Sequence, residues 1–145
     1  MNDKKGQFFV ILNALLPILL GAAIYYFIFP EVVFVQKIDS LTGLHFHIQS
    51  LMVNNFLIRF LRNYLLDMMW GYALIFTLYF ILGNNTAGLW RIFLIAVVFS
   101  AVMEILQLTP VAKGTFDICD MLVEFIAEAV AVFIIKKHFI WRSFK

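Results

Sequence analysis

Glu104 and Gln107 stand three residues apart, and Asp117, Asp120, Glu124 and Glu128 follow at intervals of three, four and four. Such intervals place side chains above one another on a helix, so a helical run here carries its carboxylates as one stripe. Upstream, Asn63, Asp67 and Trp70 repeat the spacing, with Arg59 and Arg62 just before them. Converging carboxylates can accept hydrogen bonds from an amine, ligate a cation, or act as a general base. Guanidinium groups suit phosphate.

Each residue also has a plainer reading. Asp117 and Asp120 suit a helix start, where acids complement the dipole. Glu104 and Gln107 suit interhelical hydrogen bonding within a membrane. Arg59 and Arg62 suit anchorage among lipid headgroups. His45 and His47 form a His-x-His pair, but a metal centre needs three or four converging ligands, so no metal and no cofactor is expected. His138 and the lone Cys119 suggest no chemistry, and one cysteine excludes an internal disulfide. The chain has no phosphate-cradling glycine loop, no HExxH motif and no GxSxG elbow.

The elements that position these groups follow from composition. Of 145 residues, 63% are hydrophobic and 14% charged. Soluble domains carry about 45–50% apolar and about 25% charged residues, so lipid must solvate most of this chain. Four continuous apolar runs cover about 8–29, 64–82, 89–108 and 118–135, each near the ~20 residues a helix needs to cross a bilayer. The expected fold is therefore all-α: a single domain over 1–145, a polytopic membrane protein with four transmembrane helices. The first run exceeds a signal-peptide core and lacks a small-residue cleavage pattern, so it is read as an anchor. Gly83 to Gly88 reads as a tight turn, and Thr109-Pro110 as a helix end. Between the first two spans, Phe56, Leu57, Phe60, Leu61, Tyr64 and Leu65 share a face opposite Asn55, Arg59 and Arg62. That pattern predicts an interfacial amphipathic helix leading into the second span.

Orientation follows from the bases. With four spans, Lys4, Lys5, Arg91, Lys136, Lys137, Arg142 and Lys145 fall on one side, against Lys37, Arg59, Arg62 and Lys113 on the other. The positive-inside rule then puts both termini in the cytoplasm, with Trp90 and Trp141 as cytoplasmic-side anchors. Apart from Asp3, the carboxylates fall in outer loops or within spans. The formal charge of +2 gives no reason to expect nucleic acid.

Glu104-Ile105-Leu106-Gln107, followed by Gly114-Thr115-Phe116-Asp117-Ile118-Cys119-Asp120 at the start of the last run, resembles the signature of the VanZ-like membrane proteins. That family ends one helix with Glu-x-x-Gln and begins the next with an Asp-x-x-Asp motif. Arg62 to Trp70 resembles the family's upstream block, and the likeness covers roughly the last two thirds of the chain. Two features depart from it: Lys113 stands where many members have Arg, and Glu124 and Glu128 stand where Asn and Gly are common. The resemblance implies a role in the bacterial cell envelope, in a family named for an association with teicoplanin resistance, and implies no particular reaction.

The expected function is therefore a multi-pass cell-membrane protein with an outer-leaflet polar pocket. Glu104, Gln107, Asp117, Asp120, Glu124, Asp67, Arg62 and Arg59 would bind a membrane lipid, a lipid-linked wall precursor or a lipid-bearing glycopeptide antibiotic. The alternatives are an intramembrane enzyme acting on a lipid headgroup through a divalent cation, a small transporter, or a subunit of a larger complex. Sequence alone leaves the oligomeric state open.

Overall fold

In a computed structural model of the chain, residues 4–28, 33–43, 56–82, 88–109 and 117–140 are described, with the side chains of 28, 33, 34, 56–63 and 140 outside that description. These residues form five α-helices and no strand: α1 (Lys4–Ile28), α2 (Val33–Thr42), α3 (Phe56–Ile81), α4 (Leu89–Gln107) and α5 (Ile118–Ile140). Three helices are long and apolar enough to cross a membrane, over Lys4–Phe27, Tyr64–Ile81 and Leu89–Gln107. At 23 residues α5 has the length, but it carries Asp120, Glu124 and Glu128.

The packing explains where that apolar content goes. Leu15, Leu19, Val98, Met103, Leu122 and Phe133 are exposed around the outside of the bundle. Glu104, Glu124 and Glu128 are buried within it. Apolar outside and ionisable inside is the distribution expected where lipid replaces water. The arrangement is compatible with a multi-pass membrane protein.

Helix α3 is the centre of the bundle, with α1 on one side, α5 on another, and α4 against both α3 and α5. Helix α1 runs antiparallel to α3. Gly21 faces Leu66 and Met69 near one end, and Phe9 meets Phe76 edge-on near the other. Between them, the Tyr72 hydroxyl donates to Asn13 Oδ1 at 2.6 Å. Helix α5 runs parallel to α3. A Cβ at Gly71 would lie 3.1 Å from the Glu124 carbonyl oxygen, so glycine permits this backbone approach. Val10, Ile75, Phe76, Ile92, Ala131 and Ile135 belong to the common core.

Two differences from the sequence expectation concern the segment between the first two spans. Residues 56–63 are the first turns of α3 itself, continuous with the expected second span. The run from Phe56 to Met69 contains no glycine or proline that would separate an interfacial helix from a spanning one. A separate helix, α2, had no counterpart in the periodicity reading. It buries Val35 and Asp39 while Gln36, Lys37, Ser40 and Leu41 stay exposed. It ends at Gly43, whose φ of 69° is the left-handed conformation glycine adopts without strain, and whose N–H donates to the Asp39 carbonyl at 2.8 Å. Helix α5 also extends past the expected end near residue 135 to Ile140, keeping Lys136, Lys137 and His138 helical.

Candidate functional site

At the junction of α4 and α5 the acids meet. Glu104, 5% exposed, accepts a hydrogen bond at Oε1 from Gln107 Nε2 at 2.9 Å. Its second oxygen, Oε2, lies 3.5 Å from the Asp117 backbone N–H, a long contact across the hairpin. The Glu-x-x-Gln spacing thus makes a rigid pair on one helical face. Asp117 precedes the first turn of α5. Its Oδ1 accepts from the Cys119 N–H at 2.9 Å, and its carbonyl from the Asp120 N–H at 3.1 Å. This is a helix N-cap, so the plainer reading of Asp117 describes its side-chain geometry.

Asp67 reaches the same place from α3, close enough to Glu104 for the two charges to interact. Asp120 lies in the combined field of Asp67, Asp117 and Glu104. Glu124 feels Asp67, Glu128 and Glu104. Tyr64, expected only as part of an apolar face, borders Asp117 and Asp120. Three helices therefore contribute to one acidic cluster, and like charges so gathered repel unless a cation, a proton or water intervenes.

Deeper in the bundle the stripe continues. The Ser100 hydroxyl donates to Glu128 Oε1 at 2.9 Å, joining α4 to α5. Ser100 is one turn before Glu104 on the same face of α4, and that spacing was the signal for it in the sequence. Glu128 is 0% exposed and Glu124 7%, and the Oε2 atom of each is buried without a hydrogen-bond partner among the described residues. Glu128 lines a cavity of about 280 Å³ between α4 and α5, with Val97, Ala101, Leu122 and Phe125 among its walls.

A larger cavity, about 650 Å³, opens between α1, α2 and α3. Its walls are mainly apolar, and among the described residues Asp67 is the one charged side chain lining it. Helix α2 borders it through Val35 and Ile38, and the Tyr26 hydroxyl holds α2 in place by donating to Asp39 Oδ1 at 2.8 Å. Tyr26 and Asp39 were not among the expected site residues. They are thirteen positions apart, beyond any helical periodicity.

The structure thus gathers Glu104, Gln107, Asp117, Asp120, Glu124 and Asp67. The side chains of Arg59 and Arg62 lie outside the described residues, as do His45, His47, Trp141, Lys113 and the loop over 110–116. The described residues contain no group of three or more His, Cys, Asp or Glu side chains disposed to hold a metal ion. No family model matches the chain, and neither a curated protein nor a solved structure matches it.

Proposed function

We propose that this chain is a VanZ-like, four-span protein of the bacterial cell membrane that holds a lipid, a lipid-linked wall precursor or a lipid-bearing glycopeptide antibiotic in a pocket at its acidic end. In this reading α5 is the fourth span, both termini are cytoplasmic and the acidic end faces outward. The observation that carries the proposal is the placement of the acidic cluster beside an apolar cavity, with Asp67 belonging to both. A ligand with an apolar chain and a polar head requires those two environments in contact. Asp67, Glu104, Gln107, Asp120 and Glu124 are the head-group side of the site, and Arg59 and Arg62, at the start of α3, supply charge for a phosphate.

Two experiments test this. Lipid mass spectrometry of the gently purified protein should find a retained amphiphile that Glu104→Gln loses while remaining folded, and the same substitution should raise glycopeptide susceptibility in cells that depend on the protein. Retention of the same lipids by both proteins would defeat the binding role. For orientation, exposed Cys119 is a natural reporter at the acidic end. It should react with a membrane-impermeant maleimide on intact cells, and labelling only after permeabilisation would invert the topology.

A further inference from the structure

We propose that Glu128, with Ser100, forms a proton-binding site inside the bundle, and that it exchanges protons with the acidic end through Glu124. Neither Glu128 nor Ser100 belongs to the head-group site, so the inference goes beyond the ligand reading and shares only Glu124 with it. Glu128 is fully buried, and its Oε2 has no hydrogen-bond partner among the described residues. It forms the inner wall of the cavity of about 280 Å³ between α4 and α5, whose other walls include the exposed Leu122 and Phe125. An ionised carboxylate can only accept hydrogen bonds, and this one receives a single described donor, the Ser100 hydroxyl at 2.9 Å on Oε1. An anion held by one bond in such an interior is costly. A proton on Oε2 neutralises the group and leaves the bond from Ser100 to Oε1 intact.

Ser100 ties the site to the rest of the stripe. Its hydroxyl also lies within hydrogen-bonding reach of Glu124, one turn of α5 nearer the acidic end. A serine has one proton to give and lone pairs to accept with, so Ser100 can take the proton of a neutral Glu124 as its own passes to Glu128. Glu124 is then the carboxylate, Glu128 the acid and Ser100 unchanged, and solvent at the acidic end returns a proton to Glu124. In the other direction the stripe continues as Ala131 and Ile135, both fully buried and apolar, so the relay ends at Glu128. The other charged groups stand further off. On α5, Lys136, Lys137 and His138 are eight or more positions beyond Glu128, where Phe9 of α1 stacks on His138. On α4, Glu104 is one turn past Ser100 and Arg91 nine positions before it. Helix α3, with Gly71 opposite Glu124, carries Asp67, Tyr72 and Tyr79, and the Tyr72 hydroxyl is bonded to Asn13. Arg62, the nearer of the two arginines that begin α3, is thirteen positions from Glu128 in this register, roughly 20 Å along the axis at 1.5 Å per residue.

The test is infrared spectroscopy of the full chain in dodecyl maltoside, a detergent without a carbonyl group. Near neutral pH exposed carboxyls are ionised, so the C=O stretch of a carboxylic acid reports buried ones. Its shift in heavy water separates it from the ester carbonyls of any retained lipid. The parent should show this band, and Glu128→Gln, which imitates the neutral acid in shape, should lose a component of it with far-UV circular dichroism unchanged. Ser100→Ala should move that component to higher frequency, because the carbonyl loses its hydrogen bond; absence of the move overturns the site even where Glu128→Gln does not fold. On transfer to heavy water, Glu124→Gln should slow exchange of the Glu128 component by roughly a hundredfold, the low end of what a positioned proton donor contributes. An unchanged band in Glu128→Gln shows an ionised Glu128 and overturns the site. Exchange at the parent rate in Glu124→Gln overturns the route. Loss of the component when sodium chloride replaces choline chloride at constant pH overturns the proton assignment in favour of an alkali cation. No lipid or antibiotic is added, so these readings stand apart from the fate of the ligand site.

Discussion

At the end of the bundle where α1 begins and α3 and α5 finish, the Phe9 ring stacks on His138 with centroids 3.8 Å apart, and Tyr79 lies against Phe139 at 5.6 Å. Phe76 and Ile135 are fully buried there. At the other end, Asp67 lies within charge–charge range of Glu104 and Asp120 and lines a cavity of about 650 Å³. The first region is filled with rings and aliphatic side chains packed against one another. The second holds repelling carboxylates and empty volume, which contribute poorly to stability. The contrast teaches that the aromatic half holds the helices together, while the acidic half is arranged for something other than cohesion. In lipid the division matters, because packing rather than escape from water drives helix association.

The largest expected effect is in the aromatic half. Phe76→Ala removes a ring enclosed by Phe9 and Tyr72. Substitutions of this kind cost about 3–5 kcal/mol in soluble cores, and the packing part of that cost persists in lipid. Reversible unfolding in mixed micelles, followed by circular dichroism, should show the greatest loss for this variant.

Gly71→Leu comes next. Its side chain would meet the Glu124 backbone, which cannot swing aside as a flexible side chain would. Separating α3 from α5 should cost about 1–3 kcal/mol in the same assay. A null effect would show that the α3–α5 approach is not tight, and would weaken the positioning of Asp67 beside Glu124.

Glu104→Gln and Glu128→Gln should change stability less than either, holding or raising it, since each amide keeps the oxygen that Gln107 or Ser100 bonds while removing a buried charge. A loss exceeding that of Phe76→Ala would break the comparison and make the acids structural. The smallest effect belongs to Tyr72→Phe. It deletes the hydrogen bond to Asn13 and should cost about 0.6 kcal/mol, the average for such bonds between membrane helices.

Much of this was legible from residue types alone. Continuous apolar runs bounded by Pro30, Gly83 and Pro110 mark helices, because proline at a boundary withholds a ladder donor, glycine favours helix ends, and apolar side chains need lipid or a core. The intervals linking Glu104 to Gln107 and Asp120 to Glu128 determine shared helical faces, because 3.6 residues make a turn. A short hairpin then requires Glu104 and Asp117 to be neighbours. The stretch between α1 and α3 was less legible. Helix α2 is short and only half apolar, and its hold on the bundle comes through Tyr26 and Asp39, a pairing no local pattern encodes.

By itself, then, the sequence determined that the chain is helical and apolar, and that its acids fall in stripes, since those properties depend on neighbours within a few positions. Only the tertiary structure decided that α3 brings Asp67 to the stripes of α4 and α5, and that Gly71 lets two backbones close on Glu124. It also decided that α2 and α1 leave a cavity ending on Asp67. Those facts depend on which helix faces which and at what rotation. The cause is the fit of distant side chains, Phe9 to Phe76 and Ser100 to Glu128 among them, and periodicity carries no information about that fit.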